Sequence, residues 1–137
     1  MPSVHANLTR QPGRYLLSTR DQHLVADATA SRGGPGEAWT AAELLLGALL
    51  TCAQAVVEST ARTTGVTLRD ARIEAESEPD ADKPGHYAFI RLRFELHGPT
   101  QAQAEELVAA FTSVCPIYGS LSRGAPVTVT VRGSTEP

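Results

Sequence analysis

The feature that most constrains the fold is an apolar stretch, Leu44–Val57, which follows a helix-start signal. Thr40 and Glu43 have the spacing of a capping box. In this motif the threonine hydroxyl accepts a hydrogen bond from the amide of residue 43, and the glutamate carboxylate accepts one from the amide of Thr40. The pattern predicts a helix to about Thr64, with Gly65 at the left-handed position beyond its end. Because the stretch is apolar nearly all round, we expect burial on every side and a second subunit covering part of it.

Strand patterns lie on both sides of this helix. Residues 3–9 and 14–28 alternate loosely around turn residues and predict two or three antiparallel strands. Residues 68–79 and 86–97 predict another strand pair, and in the second of these Ala88, Ile90, Leu92, Phe94 and Leu96 form the core face.

The last third of the chain predicts two helices and a closing strand. Thr100 and Gln103 form a second capping box, whose helix should end near Val114 because the residue before a proline disfavours helical backbone. Pro116 suits the first position of a short helix, and the VTVTV segment predicts the last strand. The order predicts one α+β domain over residues 1–137, with N-terminal antiparallel strands, a long buried central helix, and a second antiparallel sheet with a second helix.

Charge and composition exclude several classes of function. The net charge is −3, with 12 basic and 15 acidic residues, and the basic residues are scattered, so we expect no nucleic-acid partner. The N-terminus has no apolar signal region and the 14-residue apolar stretch is short for a bilayer, so we expect a cytoplasmic protein without membrane association. A cysteine pair in that compartment is typical of catalytic, redox or metal chemistry.

The two cysteines differ in their local setting. Neither they nor the four histidines have metal-ligand spacing, so no metal site is predicted. Cys52 lies mid-helix, where a buried apolar role and a reactive role both stay open. Cys115 precedes Pro116 at the predicted N-cap of the short helix, where free amides favour a thiolate. Local physics therefore makes Cys115 the more acidic thiol.

Two segments resemble the OsmC/Ohr superfamily, the osmotically inducible and organic hydroperoxide resistance proteins. The Gly33–Gly36 loop and the Glu43–Cys52 helix are similar to the loop and "ELLLAALxxC" helix of that family. The segments Gly98–Leu107 and Cys115–Tyr118 are similar to its later helix, which ends in a turn containing cysteine. The resemblance implies an OsmC-like fold and an intertwined homodimer, with two long helices at the centre and active sites at the subunit interface.

The resemblance also implies a thiol-dependent peroxidase of oxidative-stress defence. Cys52 would be the peroxidatic cysteine and form a sulfenic acid, and Cys115 would resolve it as a disulfide. An external dithiol such as lipoamide, or a lipoylated protein, would reduce that disulfide, with no bound cofactor. An apolar pocket lined by Leu49, Phe111 and Tyr118 would favour organic hydroperoxides.

The peroxidases of the family place an arginine and a glutamate beside the reactive thiolate. The glutamate usually lies ten residues before the cysteine, where this chain has Ala42. Glu43 is the nearest alternative, and Arg10 and Arg14 are the candidate arginines. Because of Ala42, two other functions stay open: a non-catalytic dimer that binds an apolar ligand, and a redox sensor.

Overall fold

The computed structural model describes all residues, Met1–Pro137. The chain forms two compact units, Met1–Leu45 and Leu46–Pro137. A long helix, α1 (Ala41–Thr64), begins in the first unit and continues in the second. With two sheets and three α-helices, the structure confirms the predicted α+β class.

The first unit contains a three-stranded antiparallel sheet. Its strands β1 (His5–Leu8), β2 (Arg14–Thr19) and β3 (Gln22–Asp27) are neighbours in chain order. A two-residue turn, Arg20-Asp21, joins β2 to β3, and Arg20 adopts φ 51° there. The three strands confirm the upper number predicted from the alternating segments.

The second unit contains a mixed sheet, which corrects the prediction of a second antiparallel one. Strand β4 (Asp70–Pro79) pairs antiparallel with the central β5 (Tyr87–His97), but β6 (Val127–Ser134) pairs parallel with β5. The physical reason is the connection: helices α2 (Gln101–Val114) and α3 (Pro116–Leu121) return the chain to the end of the sheet where β5 starts. A parallel pair requires such a crossover.

Helix α1 has the predicted bounds, and a single chain buries one side of it. Gly65 follows its end with φ 71°, as the left-handed terminal position requires. By length and composition the helix is apolar enough to span a membrane, but core helices of soluble proteins share this property. The chain itself buries one stripe of the helix, which repeats every four residues and comprises Leu49, Ala53, Val57 and Ala61. The predicted cover of the remaining faces by a second subunit stays a prediction.

One core fills the second unit. The alternation of β5 is confirmed, since Ile90, Leu92, Phe94 and Leu96 are all at most 1% exposed. They belong to one buried cluster with the α1 stripe and with the apolar residues of α2, namely Ala104, Leu107, Val108 and Phe111.

The capping box of α2 is confirmed and can be tested. The Thr100 hydroxyl accepts the Gln103 amide at 3.2 Å, and the Thr100 amide donates to the Gln103 side chain at 2.9 Å. Loss of an N-cap hydroxyl leaves a helix-end amide without a partner, so we expect Thr100→Ala to lower the free energy of unfolding by about 1 kcal/mol in urea titrations. Thr63→Ala, at an exposed position of α1, is the control. Equal stability of the two variants would contradict the capping role.

Candidate active site

Cys115 occupies the predicted N-cap between α2 and α3. Pro116 follows at the first helical position, and the Cys115 Sγ accepts the Tyr118 amide at 3.4 Å. The residue is 3% exposed. The structure therefore confirms the predicted N-cap position of Cys115, with a backbone amide as the donor to its sulfur.

Cys52 lies on α1, half-buried, and packs against the core cluster that includes Cys115. Both thiols are free. Burial raises the pKa of Cys52 to about 11, and hydrogen bonding and charge repulsion with Cys115 add to the rise. Two cysteines far apart in sequence are therefore neighbours in space. Both effects favour the protonated form of the Cys52 thiol.

The three residues predicted to line a substrate pocket belong to the same core as the two thiols, or pack against it. Leu49 and Phe111 are 0% exposed and share the core with Cys115, while Tyr118 is half-buried. The Phe111 ring is tilted against the Tyr118 ring, with centroids 5.4 Å apart. An open cavity of about 520 Å³ lies elsewhere, against β4 and β5, and its lining includes Glu74, Arg91 and Arg93 but neither cysteine.

Of the two candidate arginines, Arg14 is held in a defined geometry. Its Nε and Nη2 donate to the two carboxylate oxygens of Asp27 at 2.8 and 2.9 Å, and Nη2 also donates to Glu37 at 3.3 Å. Arg10 lies exposed in the turn after β1 and makes no ion pair within the chain. The structure thus separates two arginines that were equivalent in the sequence.

Asp27 and Glu37 were missed in the sequence, although one signal was available for Asp27. The two-residue turn Arg20-Asp21 fixes the register of the hairpin. Residues at equal distances before and after this turn are partners, so that Arg14 lies opposite Asp27. The Asp27 side chain is 0% exposed and also accepts the amides of Glu37 and Ala38 at 2.9 and 2.8 Å. It therefore ties the loop before α1 to the hairpin.

Glu43 is exposed and is engaged by the helix cap. Its carboxylate accepts both the Thr40 amide, at 3.2 Å, and the Thr40 hydroxyl, at 2.6 Å. The first bond confirms half of the predicted capping box. The second corrects the other half, because the hydroxyl donates to the carboxylate instead of accepting the amide of residue 43.

Acid should weaken the fold through Asp27. The Arg14 hydrogen bonds, with help from the Ala38 and Glu37 amides, hold the pKa of Asp27 well below its usual range. A group whose pKa is lower in the folded chain stabilises the fold above its ordinary pKa, and that contribution is lost as the pH falls below about 4. We expect Asp27→Asn to be less stable than wild type at pH 7 and to lose less stability between about pH 5 and 3.

Urea unfolding at a series of pH values measures this effect. Asp82→Asn is the control, since Asp82 is exposed in the β4–β5 connection and forms no ion pair. Parallel pH profiles for wild type and Asp27→Asn would contradict the expected role of Asp27.

The model of the family described as OsmC-like protein matches residues 34–130, a range that includes both cysteines and confirms the resemblance read from the sequence. No curated protein matches the chain in sequence.

Several solved structures share the fold across nearly the whole chain. An OsmC-like protein from Mycoplasma pneumoniae is 16% identical with a TM-score of 0.85, over 98% of this chain and 97% of that one. The organic hydroperoxide resistance protein OsmC of Legionella pneumophila is 22% identical with a TM-score of 0.73, over 96% of each chain. An organic hydroperoxide resistance protein of Elizabethkingia anophelis is 13% identical with a TM-score of 0.79, over 97% and 96%.

Proposed function

Because the chain belongs to the OsmC-like protein family, we propose that it is a thiol-dependent peroxidase that reduces organic hydroperoxides in oxidative-stress defence. The observation that carries the proposal is the contact between two free thiols, one half-buried on α1 and one at the N-cap of α3. Two solved structures of this fold are named organic hydroperoxide resistance proteins, which supports the same substrate class.

The reaction needs both thiols in sequence. The Cys52 thiolate attacks one peroxide oxygen, the O–O bond breaks, and the alkoxide leaves as the alcohol after taking a proton. Cys52 is then a sulfenic acid, which the Cys115 thiolate attacks at sulfur, so that a disulfide forms and the hydroxyl leaves as water. An external dithiol, such as dihydrolipoamide or a reduced lipoylated protein, returns both cysteines to thiols and becomes a disulfide.

The exposure of the two thiols supports the proposed roles within the pair. Cys52 is half-buried, whereas Cys115 is 3% exposed, so a hydroperoxide from solvent meets Cys52 first. Cys115 suits the resolving step because it lies beside Cys52, and the hydrogen bond from the Tyr118 amide helps to hold its sulfur in place. Of the three predicted pocket residues, the half-buried Tyr118 would contact the organic part of the substrate, with the buried Leu49 and Phe111 in the core behind it.

A cation beside Cys52 would favour its thiolate, and Arg14 is our candidate for it. Arg14 has a fixed guanidinium, whereas Arg10 has no partner that orients it. Glu43 is occupied by its bonds to Thr40, so we assign it to the helix cap and not to the reaction.

A second copy of the chain would complete the molecule. The half-buried apolar residues of α1, among them Leu46, Leu50 and Val56, lie outside its buried stripe. Large apolar side chains are also exposed on both units, including Leu8 at 85%, Trp39 at 51% and Val114 at 63%. We propose that these side chains contribute to the subunit interface of a cytoplasmic homodimer.

The second candidate function is a non-catalytic dimer that binds an apolar ligand. The pKa of Cys52, raised to about 11, favours it, because a protonated thiol reacts slowly with peroxide, and Ala42 supplies no acid to the site. A redox sensor is the intermediate case: it would form the disulfide but turn over slowly.

A peroxidase assay with dihydrolipoamide and cumene hydroperoxide, combined with mass spectrometry of the oxidised protein, separates these functions. The proposed peroxidase consumes hydroperoxide over many turnovers and forms an intrasubunit Cys52–Cys115 disulfide. A sensor forms the disulfide but gives few turnovers. Absence of both disulfide and sulfenic acid after mild peroxide treatment would exclude the peroxidase and leave the ligand-binding dimer.

A further inference from the structure

The sheet of the second unit has two edge strands, β4 and β6, which differ in charge. β4 carries a charged side chain at every second position and ends at Pro79. Charges and proline on an edge strand hinder the pairing of a further strand with it. β6 carries no charge from Val127 to Val131, where valine and threonine alternate. An uncharged edge of β-branched residues is the kind that pairs with another chain, so β6 lacks the protection that β4 has.

The odd-numbered residues of β6 direct their backbone N–H and C=O groups away from β5. The carbonyls of Pro126 and Ser134 accept the amides of Ile90 and Gly98, so the even-numbered positions face β5. Successive residues of a strand alternate in this direction. Of the groups on the outer edge, the amide and carbonyl of Val129 make no hydrogen bond within the chain. The first half of the β6 edge is therefore open.

The side chain of Gln101, the first residue of α2, bonds the other half of this edge. Its Nε2 donates to the Val131 carbonyl at 3.2 Å, and its Oε1 accepts the Gly133 amide at 2.9 Å. Nε2 also donates to the Glu105 carboxylate at 3.0 Å, which orients the carboxamide. A residue of an added parallel strand would bond the same two backbone groups with its own N–H and C=O. The carboxamide thus occupies the place of a strand residue.

Gly133 allows α2 to lie close enough to β6 for these bonds. A Cβ at Gly133 would lie 2.8 Å from the Thr100 carbonyl oxygen and 2.8 Å from the Ala104 Cβ, both in the first turn of α2 or at its cap. A side chain at residue 133 would therefore displace the start of the helix. The glycine in β6 and the glutamine at the start of α2 form one arrangement.

We infer that the Gln101 side chain blocks strand pairing at the second half of the β6 edge, and that the strand it excludes is β6 of a second copy of this chain. Two β6 edges are self-complementary, because antiparallel pairing over Val127–Val131 places valine and threonine together with no like charges opposite each other. Loss of the carboxamide would extend the open edge as far as Gly133. The inference is independent of the peroxidase reaction.

Gln101→Ala tests the inference through the assembly state of the protein. Alanine is the best helix former, so α2 should be kept. Size-exclusion chromatography with light scattering, over a series of concentrations, compares the variant with wild type. We expect species larger than those of wild type, with the concentration for half-association lowered at least about ten-fold, because two hydrogen bonds no longer compete with strand pairing.

Two further variants locate the association. Gln22→Ala is the matched control: it is the same substitution at an exposed position of β3, and it should assemble as wild type does. Thr128→Lys, added to Gln101→Ala, places a charge on the exposed side of the β6 edge. A lysine there should restore the wild-type assembly state, since a charge hinders strand pairing.

Each outcome decides the role of Gln101. A folded Gln101→Ala variant that matches wild type at every concentration overturns the inference. Association that persists after Thr128→Lys, or that appears equally in Gln22→Ala, also overturns it, because the contact then does not form at the β6 edge. Circular dichroism checks the fold of each variant. If Gln101→Ala is unfolded, Gln101→Ser replaces it with the same expected result, since serine suits the start of a helix and is too short to reach β6.

Discussion

Replacing Cys52 with serine should abolish the dithiol-dependent consumption of cumene hydroperoxide, lowering kcat/KM by roughly three orders of magnitude or more. A serine hydroxyl does not form the sulfenic acid through which the proposed cycle runs. Cys115 cannot take over the attack, since it is 3% exposed within the core. Stopped-flow or endpoint assays of residual hydroperoxide measure the effect, and Ser59→Ala, on the exposed side of α1, is the control.

Cys115→Ser should give a different defect. It keeps the attacking thiol, so we expect consumption of about one equivalent of hydroperoxide per subunit, followed by over-oxidation of Cys52 to the sulfinic acid. Mass spectrometry of the peroxide-treated variants detects this product. If Cys52→Ser keeps its activity and Cys115→Ser loses the first turnover, the assigned roles are reversed.

Replacing Phe111 with alanine should have the largest effect on stability, a loss of about 3–5 kcal/mol in the free energy of unfolding. Phe111 is 0% exposed, and its ring lies between those of Phe94 and Tyr118 at centroid distances of 5.8 and 5.4 Å. Truncation removes these contacts and leaves a cavity that a sheet and two helices cannot close. The change should also increase the mobility of Tyr118, whose amide donates a hydrogen bond to the Cys115 sulfur.

Urea unfolding at one fixed protein concentration measures this loss, because the stability of a dimer depends on concentration. Glu106→Ala is the control: Glu106 lies exposed on α2 and forms no ion pair, so its loss should stay below about 0.5 kcal/mol. A loss below about 1 kcal/mol for Phe111→Ala would show that the core collapses around the missing ring.

Features decided by neighbouring residues were predictable from the sequence. The cap of α2 depends on two side chains three residues apart, and the N-cap position of Cys115 depends on the proline that follows it. The core face of β5 follows from alternation alone. The same reasoning placed Glu43 at the start of α1, although it assigned the wrong hydrogen bond to the Thr40 hydroxyl.

Features decided by distant residues were not predictable. The parallel pairing of β6 depends on where a two-helix crossover delivers the chain. Hairpin register could place Asp27 opposite Arg14, but the complete burial of the Asp27 side chain, which holds Arg14 in a fixed geometry, depends on residues outside the hairpin. The partial burial of α1 depends on which of its faces the sheet and α2 cover, and composition does not contain that information.

The cysteine pair shows where the two kinds of information meet. Local physics in the sequence determined that Cys115 begins a helix and has a backbone amide for its sulfur, because capping involves only adjacent residues. Only the tertiary structure decided that Cys52 is its neighbour and that burial raises the pKa of the Cys52 thiol, because the contact forms when α1 and α2 pack into one core. Helix capping involves residues three or four positions apart in the chain. Core packing brings together residues that are far apart in the chain, and local sequence patterns do not predict which of them will be in contact.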